Sequence, residues 1–409
     1  MKLRLFFIFS LLLVIGCTAR PRNVIVMIPD GTGFASLHAA RDLKGEPLAI
    51  DGKVYGSVQT RSANNSITDS AAAGTALACG VRTNNGMVGV TPSGQPIENM
   101  MEWAQARGMA TGVVTTDKIV GATPSAFSAH ALARGDAEVL FEQQIASDLD
   151  VLMGGGSALL TPERKERIEA AGFTLVQTRE ELKAASGERL FGLFAPAEMT
   201  PMISRKAIDK TREPTLVEMS QKAIALLAKD EDGFVLMIEG ALVDKGNHAN
   251  DLPYATEDLI AFDDAVKYVL DWAEAEGNTL VVIVPDHETG GLTLLDEPFE
   301  GARAKALREA VERGLPAKQF FVHYSSTWHT AVDVFLAGND PSVRFVKNKE
   351  LPQATLGKEP RHLEPLFGTM HKDEDGWPCL RLKDGTLLRA HEDAIYFPSN
   401  NAWYQKANP

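Results

Sequence analysis

The chain has 409 residues, 44% hydrophobic and 23% charged, which builds a large core and excludes a disordered polymer. Its formal charge is −13 with no basic run, so a nucleic-acid backbone is excluded as a main partner. An anion site here must bring its own local positive charge, and the length fits one or two domains.

In chain order, the N-terminus MKLRLFFIFSLLLVIGC places Lys2 and Arg4 before an apolar run, Leu5 to Ile15, and then Gly16-Cys17. The run is short for a bilayer span and fits the apolar region of a secretory signal. Ending in V-I-G-C, it resembles a bacterial lipoprotein signal. Residues 1–16 are then the signal peptide, Cys17 the lipidated first mature residue, and 17–22 a linker. A signal peptide cut near Ala19 is the alternative. Export to the periplasm or cell envelope implies an oxidising setting. Only Cys79 and Cys379 then remain, too few for a disulfide framework, and Cys79 is expected to be buried.

Four apolar runs follow, each ending in unusual polar residues: NVIVMIP before Asp30-Gly31, MATGVVTT before Asp117, GFVLMI before Glu239-Gly240, and TLVVIVP before Asp286-His287. Runs of β-branched and aliphatic residues without alternation predict strands buried on both faces. Helical patterns lie between them, over Glu98 to Arg107 and Tyr254 to Glu276, the second stopped by Gly277. The expected fold is an α/β three-layer sandwich, a central and mainly parallel β-sheet flanked by helices. In such sheets ligands collect beyond the carboxyl ends of the strands, where Asp30, Glu239, Asp286 and His287 fall. Residues 154–214 read as mixed and surface-like, and 357–409 as a peripheral C-terminal segment without assignable chemistry.

In EGALVDKGNH, Asp244 and His248 are four apart and share one face of a helical turn, so they can grip one ion. Asp286-His287 offers a second His/carboxylate pair, and His329 in STWHTAVDV a third histidine. Such sets suit two catalytic metals, which in hydrolases sit about 3.5–4 Å apart. The segment SITDSAAAGTALACG then puts Ser70 at the start of a helix of small residues. Taken alone, Ser70 is an N-cap. Beside metals it is a nucleophile, with the small side chains leaving clearance for phosphate and ions.

The set MIPDGTG, TDSAAAGTALACGVRTNNGMVGV, ATPSAFSAHALAR, MIEGALVDKGNH, VPDHETGG and WHTAVDV resembles, in order, the alkaline phosphatases, from about Asn23 to roughly Leu356. The resemblance implies one catalytic domain over 23–356 that hydrolyses small phosphate monoesters through a phosphoserine on Ser70. It implies a first zinc on Asp244, His248 and His329. A second zinc on Asp30, Asp286 and His287 would also take the Ser70 oxygen. A magnesium would be shared by Asp30, Thr123 and Glu239, and the Arg134 guanidinium would bind phosphate.

Two departures qualify this. Where the family usually carries Asp or His two residues before the magnesium threonine, this chain has Gly121. Lys245 is therefore expected to lack its counter-ion and be freer to bind phosphate through water, with the magnesium site weakened. Only 41 residues separate His287 from His329, so the family's crown insertion is reduced and a monomer or a differently built homodimer is expected. A phosphodiesterase, a sulfatase and a phosphate-binding lipoprotein without turnover are the alternatives. Arg134 disfavours the first, the lack of a C-x-P-x-R-type sequence the second, and the intact nucleophile and ligand set the third.

Overall fold

The computed structural model describes residues 21–208, 212–297, 300–313 and 320–343, with five short strands beyond residue 369. Residues 1–16, Cys17 and most of 357–409 lie outside the described residues. Among the described residues no helix is long and apolar enough to cross a membrane.

Nine strands form one sheet: β1 (Asn23–Pro29), β2 (Val54–Val58), β3 (Ala110–Lys118), β4 (Val151–Gly155), β5 (Phe173–Val176), β6 (Arg189–Leu193), β7 (Phe234–Gly240), β8 (Thr279–Ile283) and β9 (Val334–Gly338). Their order is β2-β9-β8-β1-β7-β3-β4-β6-β5. Every pairing from β8 to β5 is parallel, whereas β9 runs antiparallel to both its neighbours.

The unalternating strand sequences are explained by two cores, one on each face. In β1, Val26 and Ile28 pack with Ala71, Leu77, Met101 and Trp103 of helices Ser70–Cys79 and Met100–Gln105. Ile25 and Met27 point the other way, into Leu259, Phe262 and Val266 of helix Leu252–Glu276. Both sides are apolar because both are covered, giving the expected three-layer sandwich.

The long helix starts two residues before its predicted Tyr254, because the Asp251 carboxylate caps it by accepting the Tyr254 N–H at 3.1 Å. It ends as expected at Gly277, whose φ of +84° suits glycine. The Glu98–Arg107 pattern shortens to Met100–Gln105, since Asn99 and Glu102 form a capping box.

The surface-like reading of 154–214 is corrected. It contains β5 and β6, which extend the sheet, with Phe173 and Phe191 buried in the core. These strands are short, and β5 at the sheet edge is buried only at its ends, so its signal was weak. Cys79 is buried and not in a disulfide.

Asp258, on the long helix, accepts the Met202 N–H at 3.2 Å. Burial, with Glu257 adding, pushes its carboxyl up to about 8, although the Met202 N–H and Arg205 oppose this. It is protonated in the fold and ionised when unfolded above about pH 4, so stability falls as pH rises from there through about 8. Asp258→Asn is expected to flatten that loss. Urea melts at about pH 6 and about pH 9 on metal-loaded protein check it, and equal losses in both proteins would clear Asp258.

Candidate active site

Four adjacent parallel strands, in the order β3-β7-β1-β8, deliver the site residues from their carboxyl ends. Register aligns Glu239 with Ile28 and Thr115, and Gly240 with Pro29, so β1 and β7 end level, with Glu239 just inside that end and Asp30 just past it. Asp286-His287 follows β8 by a few residues. Helix Leu242–His248 follows β7 and puts Asp244 and His248 on one face, as their spacing predicts. Gly31, with φ +68°, lets this helix approach β1: a Cβ there would lie 2.7 Å from Asp244 Oδ1.

Two clusters result, Asp244/His248/His329 and Asp30/Asp286/His287, each with donor atoms within 4.8 Å of one another. In the first, Nδ1 of His248 lies 2.7 Å from the Thr327 carbonyl and Nδ1 of His329 lies 2.8 Å from that of Thr68. Both Nδ1 atoms therefore carry the hydrogen, and this sets the tautomers. Two Nε2 lone pairs then face each other 3.2 Å apart, with Asp244 Oδ2 3.4 Å from His248 Nε2. A cation between them resolves that arrangement. Burial, reinforced by the neighbouring His287, holds His329 down at about 4, so it presents a neutral imidazole, the form that binds metal.

In the second cluster, Thr289 Oγ1 donates to Asp244 Oδ1 at 2.6 Å and so accepts from His287 Nδ1 at 3.2 Å. His287 Nε2 is left facing Asp286 Oδ2 at 3.1 Å, Asp30 Oδ1 at 3.6 Å and Ser70 Oγ at 3.1 Å. Burial and the charges of Asp286, Asp244 and Glu239 raise the Asp30 carboxyl well above the ordinary range. Burial would raise Asp286 too, but the positive charge of a protonated His287 outweighs it and holds it near 2. So many buried acids fit bound metal, which neutralises what would otherwise be like-charge repulsion.

Ser70 is the first residue of its helix, not its cap. Asp69 is the cap, accepting the Ala72 N–H at 3.0 Å on Oδ1. Its other oxygen accepts from Arg134 Nη1 at 3.1 Å, which ties the half-exposed guanidinium to the residue beside Ser70. The small side chains also serve packing. A Cβ on Gly74 would sit 3.2 Å from Ala126 Cβ and 3.3 Å from Thr123 Cα. They let the Ser70 helix pack tightly on the short helix Ala122–Ala126, which carries Thr123.

Behind the clusters, Thr115 Oγ1 donates to Glu239 and accepts the Asp117 N–H at 2.8 Å. Burial, with Asp117 adding, pushes Glu239 up to about 8. Lys245 lies in an acidic setting. Burial lowers its pKa, but Asp117 first, then Asp244 and Asp30, outweigh burial and raise it. Asp117, four residues before Gly121, is thus the leading acid acting on Lys245.

Asp69, Thr289, Asp117 and Trp328 are neighbours of the candidate site residues that the sequence does not single out. Trp328 is exposed and stacks on His329 with ring centroids 5.2 Å apart. Asp69 and Thr289 stand inside quoted motifs beside louder residues, and their hydrogen bonds have no sequence signal.

Fold and site together define a metal-dependent hydrolase built on an α/β sandwich. The alkaline phosphatase family model matches residues 21–351. Alkaline phosphatase 4 of Bacillus subtilis is 32% identical over 348 residues, 77% of this chain and 74% of that protein. The cold-active alkaline phosphatase of Shewanella sp. superposes with a TM-score of 0.72 at 27% identity, over 78% of this chain and 94% of that one. A histidine-to-aspartate mutant of the TAB5 alkaline phosphatase, with Mg bound in the M3 site, has a TM-score of 0.67 at 29% identity, over 78% of this chain and 91% of that one. The chain belongs to the alkaline phosphatase family and is a phosphomonoester hydrolase.

Proposed function

We propose that the chain hydrolyses phosphate monoesters through a phosphoserine on Ser70, with two zinc ions and one magnesium ion as cofactors. The observation that carries this is the Ser70 hydroxyl 3.1 Å from His287 Nε2 of one three-residue cluster, with the His287 ring stacked 3.6 Å from His329 of the other. Asp244, His248 and His329 would hold one zinc, Asp30, Asp286 and His287 the other, and Asp30, Thr123 and Glu239 the magnesium. Bound there, the ions would lower the pKa of the Ser70 hydroxyl, stabilise the leaving oxygen and activate water.

Ionised Ser70 Oγ attacks phosphorus, and the bond from phosphorus to the ester oxygen breaks as the new one forms. The departing alkoxide takes a proton and leaves as the alcohol. Water then attacks the phosphoseryl phosphorus, releasing inorganic phosphate and returning Ser70 to its starting state. Arg134, aimed by Asp69, donates N–H bonds to two non-bridging oxygens, and a monoester offers more free oxygens for that fork than a diester does. Lys245, held among acids, reaches phosphate only through water. Assaying a monoester and a diester with metal-loaded protein and Ser70→Ala tests this. Turnover of the diester alone, or turnover untouched by the substitution, sinks it.

The chain is further proposed to be exported and lipid-anchored at Cys17 in the bacterial cell envelope, as a monomer or homodimer. The charged, apolar, V-I-G-C order of the first 17 residues supports this. A diacylglyceryl mass on Cys17 in the mature protein is the expected result, and a mature start at any other residue would refute the anchor.

A further inference from the structure

Gly121 and Asp117 lie four residues apart at the turn from β3 into helix Ala122–Ala126. A Cβ built on Gly121 would overlap Asp117 Oδ2 and lie 2.8 Å from Asp117 Cγ. The Asp117 carboxylate thus fills the volume that a side chain at position 121 would enter. Its backbone is fixed there, because its N–H donates to Thr115 Oγ1, which in turn donates to Glu239. Asp117 Oδ1, Thr123 Oγ1 and Asp30 Oδ1 are buried without a hydrogen-bond partner. Three orphaned oxygens beside a fully buried Glu239 carboxylate, which has the Thr115 hydroxyl as donor and Lys245 as the nearby cation, leave coordinating capacity that suits a hard divalent cation.

We propose that Asp117 has taken over the task of residue 121 and completes a magnesium site with Glu239, Thr123 and Asp30, so that Gly121 is the space cleared for it. Among the described residues these acids do not form a third tight cluster like the other two. This suits magnesium, which keeps several of its waters, with Asp117 a positioning residue that orients one of them. The swap is reciprocal: a carboxylate at 117 requires a residue without Cβ at 121. The inference rests on the metal-dependent reading above, but it makes the opposite claim to a site weakened by glycine.

The test uses zinc-loaded protein, with magnesium binding read by calorimetry and zinc and magnesium contents by elemental analysis, so neither readout needs turnover. Asp117→Asn is expected to lower magnesium affinity by about tenfold or more while leaving the zinc content unchanged. Gly121→Asp alone is expected to lower it as well, because two carboxylates compete for one volume. The double variant Asp117→Ala/Gly121→Asp is expected to recover binding, which separates a lost water-positioning group from a damaged fold. Unchanged affinity in Asp117→Asn overturns the proposal. So does tighter binding in Gly121→Asp alone, a double variant that keeps its zinc but not its magnesium, or a wild-type chain that takes up no magnesium. Failure of the phosphatase reading would show instead as absent turnover with magnesium binding intact.

Discussion

Ser70→Ala is expected to remove turnover of a phosphate monoester by about three orders of magnitude or more, with no labelled phosphoenzyme after an acid quench. The substitution deletes one oxygen and nothing else of consequence. Ser70 is buried, but the cap of its helix is Asp69, so the bond to the Ala72 N–H survives. Asp69 also keeps its grip on Arg134, so phosphate affinity should change little. Melting temperature and metal content should match the unsubstituted protein, which marks the loss as chemical. Residual turnover above about one tenth would take Ser70 out of the reaction.

Asp244→Asn is expected to empty one metal position, lowering affinity there by at least about a hundredfold and activity in parallel. Asp244 is the one anion of its cluster, lying 3.4 Å from His248 Nε2 and 3.9 Å from His329 Nε2. The amide keeps the shape and loses the charge. Stability should move the other way in metal-free protein, because Asp244 is among the charges that raise Asp30. Stripped Asp244→Asn should melt no lower than the stripped parent. Elemental analysis after dialysis, with paired melts, reads both effects, and full metal retention at wild-type free-metal levels would show that Asp244 is not a ligand.

The central strands were legible because residues such as Ile25 to Ile28 face two cores and cannot alternate. Their polar ends were legible too, since Asp30, Glu239 and Asp286-His287 each break an apolar run where parallel sheets open. The i, i+4 spacing of Asp244 and His248 placed one cluster on a helix. Asp117 was not legible as a site residue. It closes an apolar run as other acids do, and only three-dimensional overlap with the space above Gly121 sets it apart. The edge strand β5 and its neighbour β6 escaped because short strands leave little pattern. The small residues of the Ser70 helix were seen, but the packing of Gly74 on the Thr123 helix was not, since helix-to-helix approach depends on a neighbour far along the chain.

The Thr289 hydroxyl has one proton, and it goes to Asp244, which leaves its lone pair for His287. One atom thus sets the geometry of a carboxylate in one cluster and the tautomer of an imidazole in the other. Filling either position firms the orientation that the second needs, so the two should load as a linked pair. A calorimetric zinc titration should show positive cooperativity that Thr289→Val weakens, and two independent sites in both proteins would dismiss the coupling. A half-loaded enzyme should then be scarce, which confines the population to empty and fully equipped molecules.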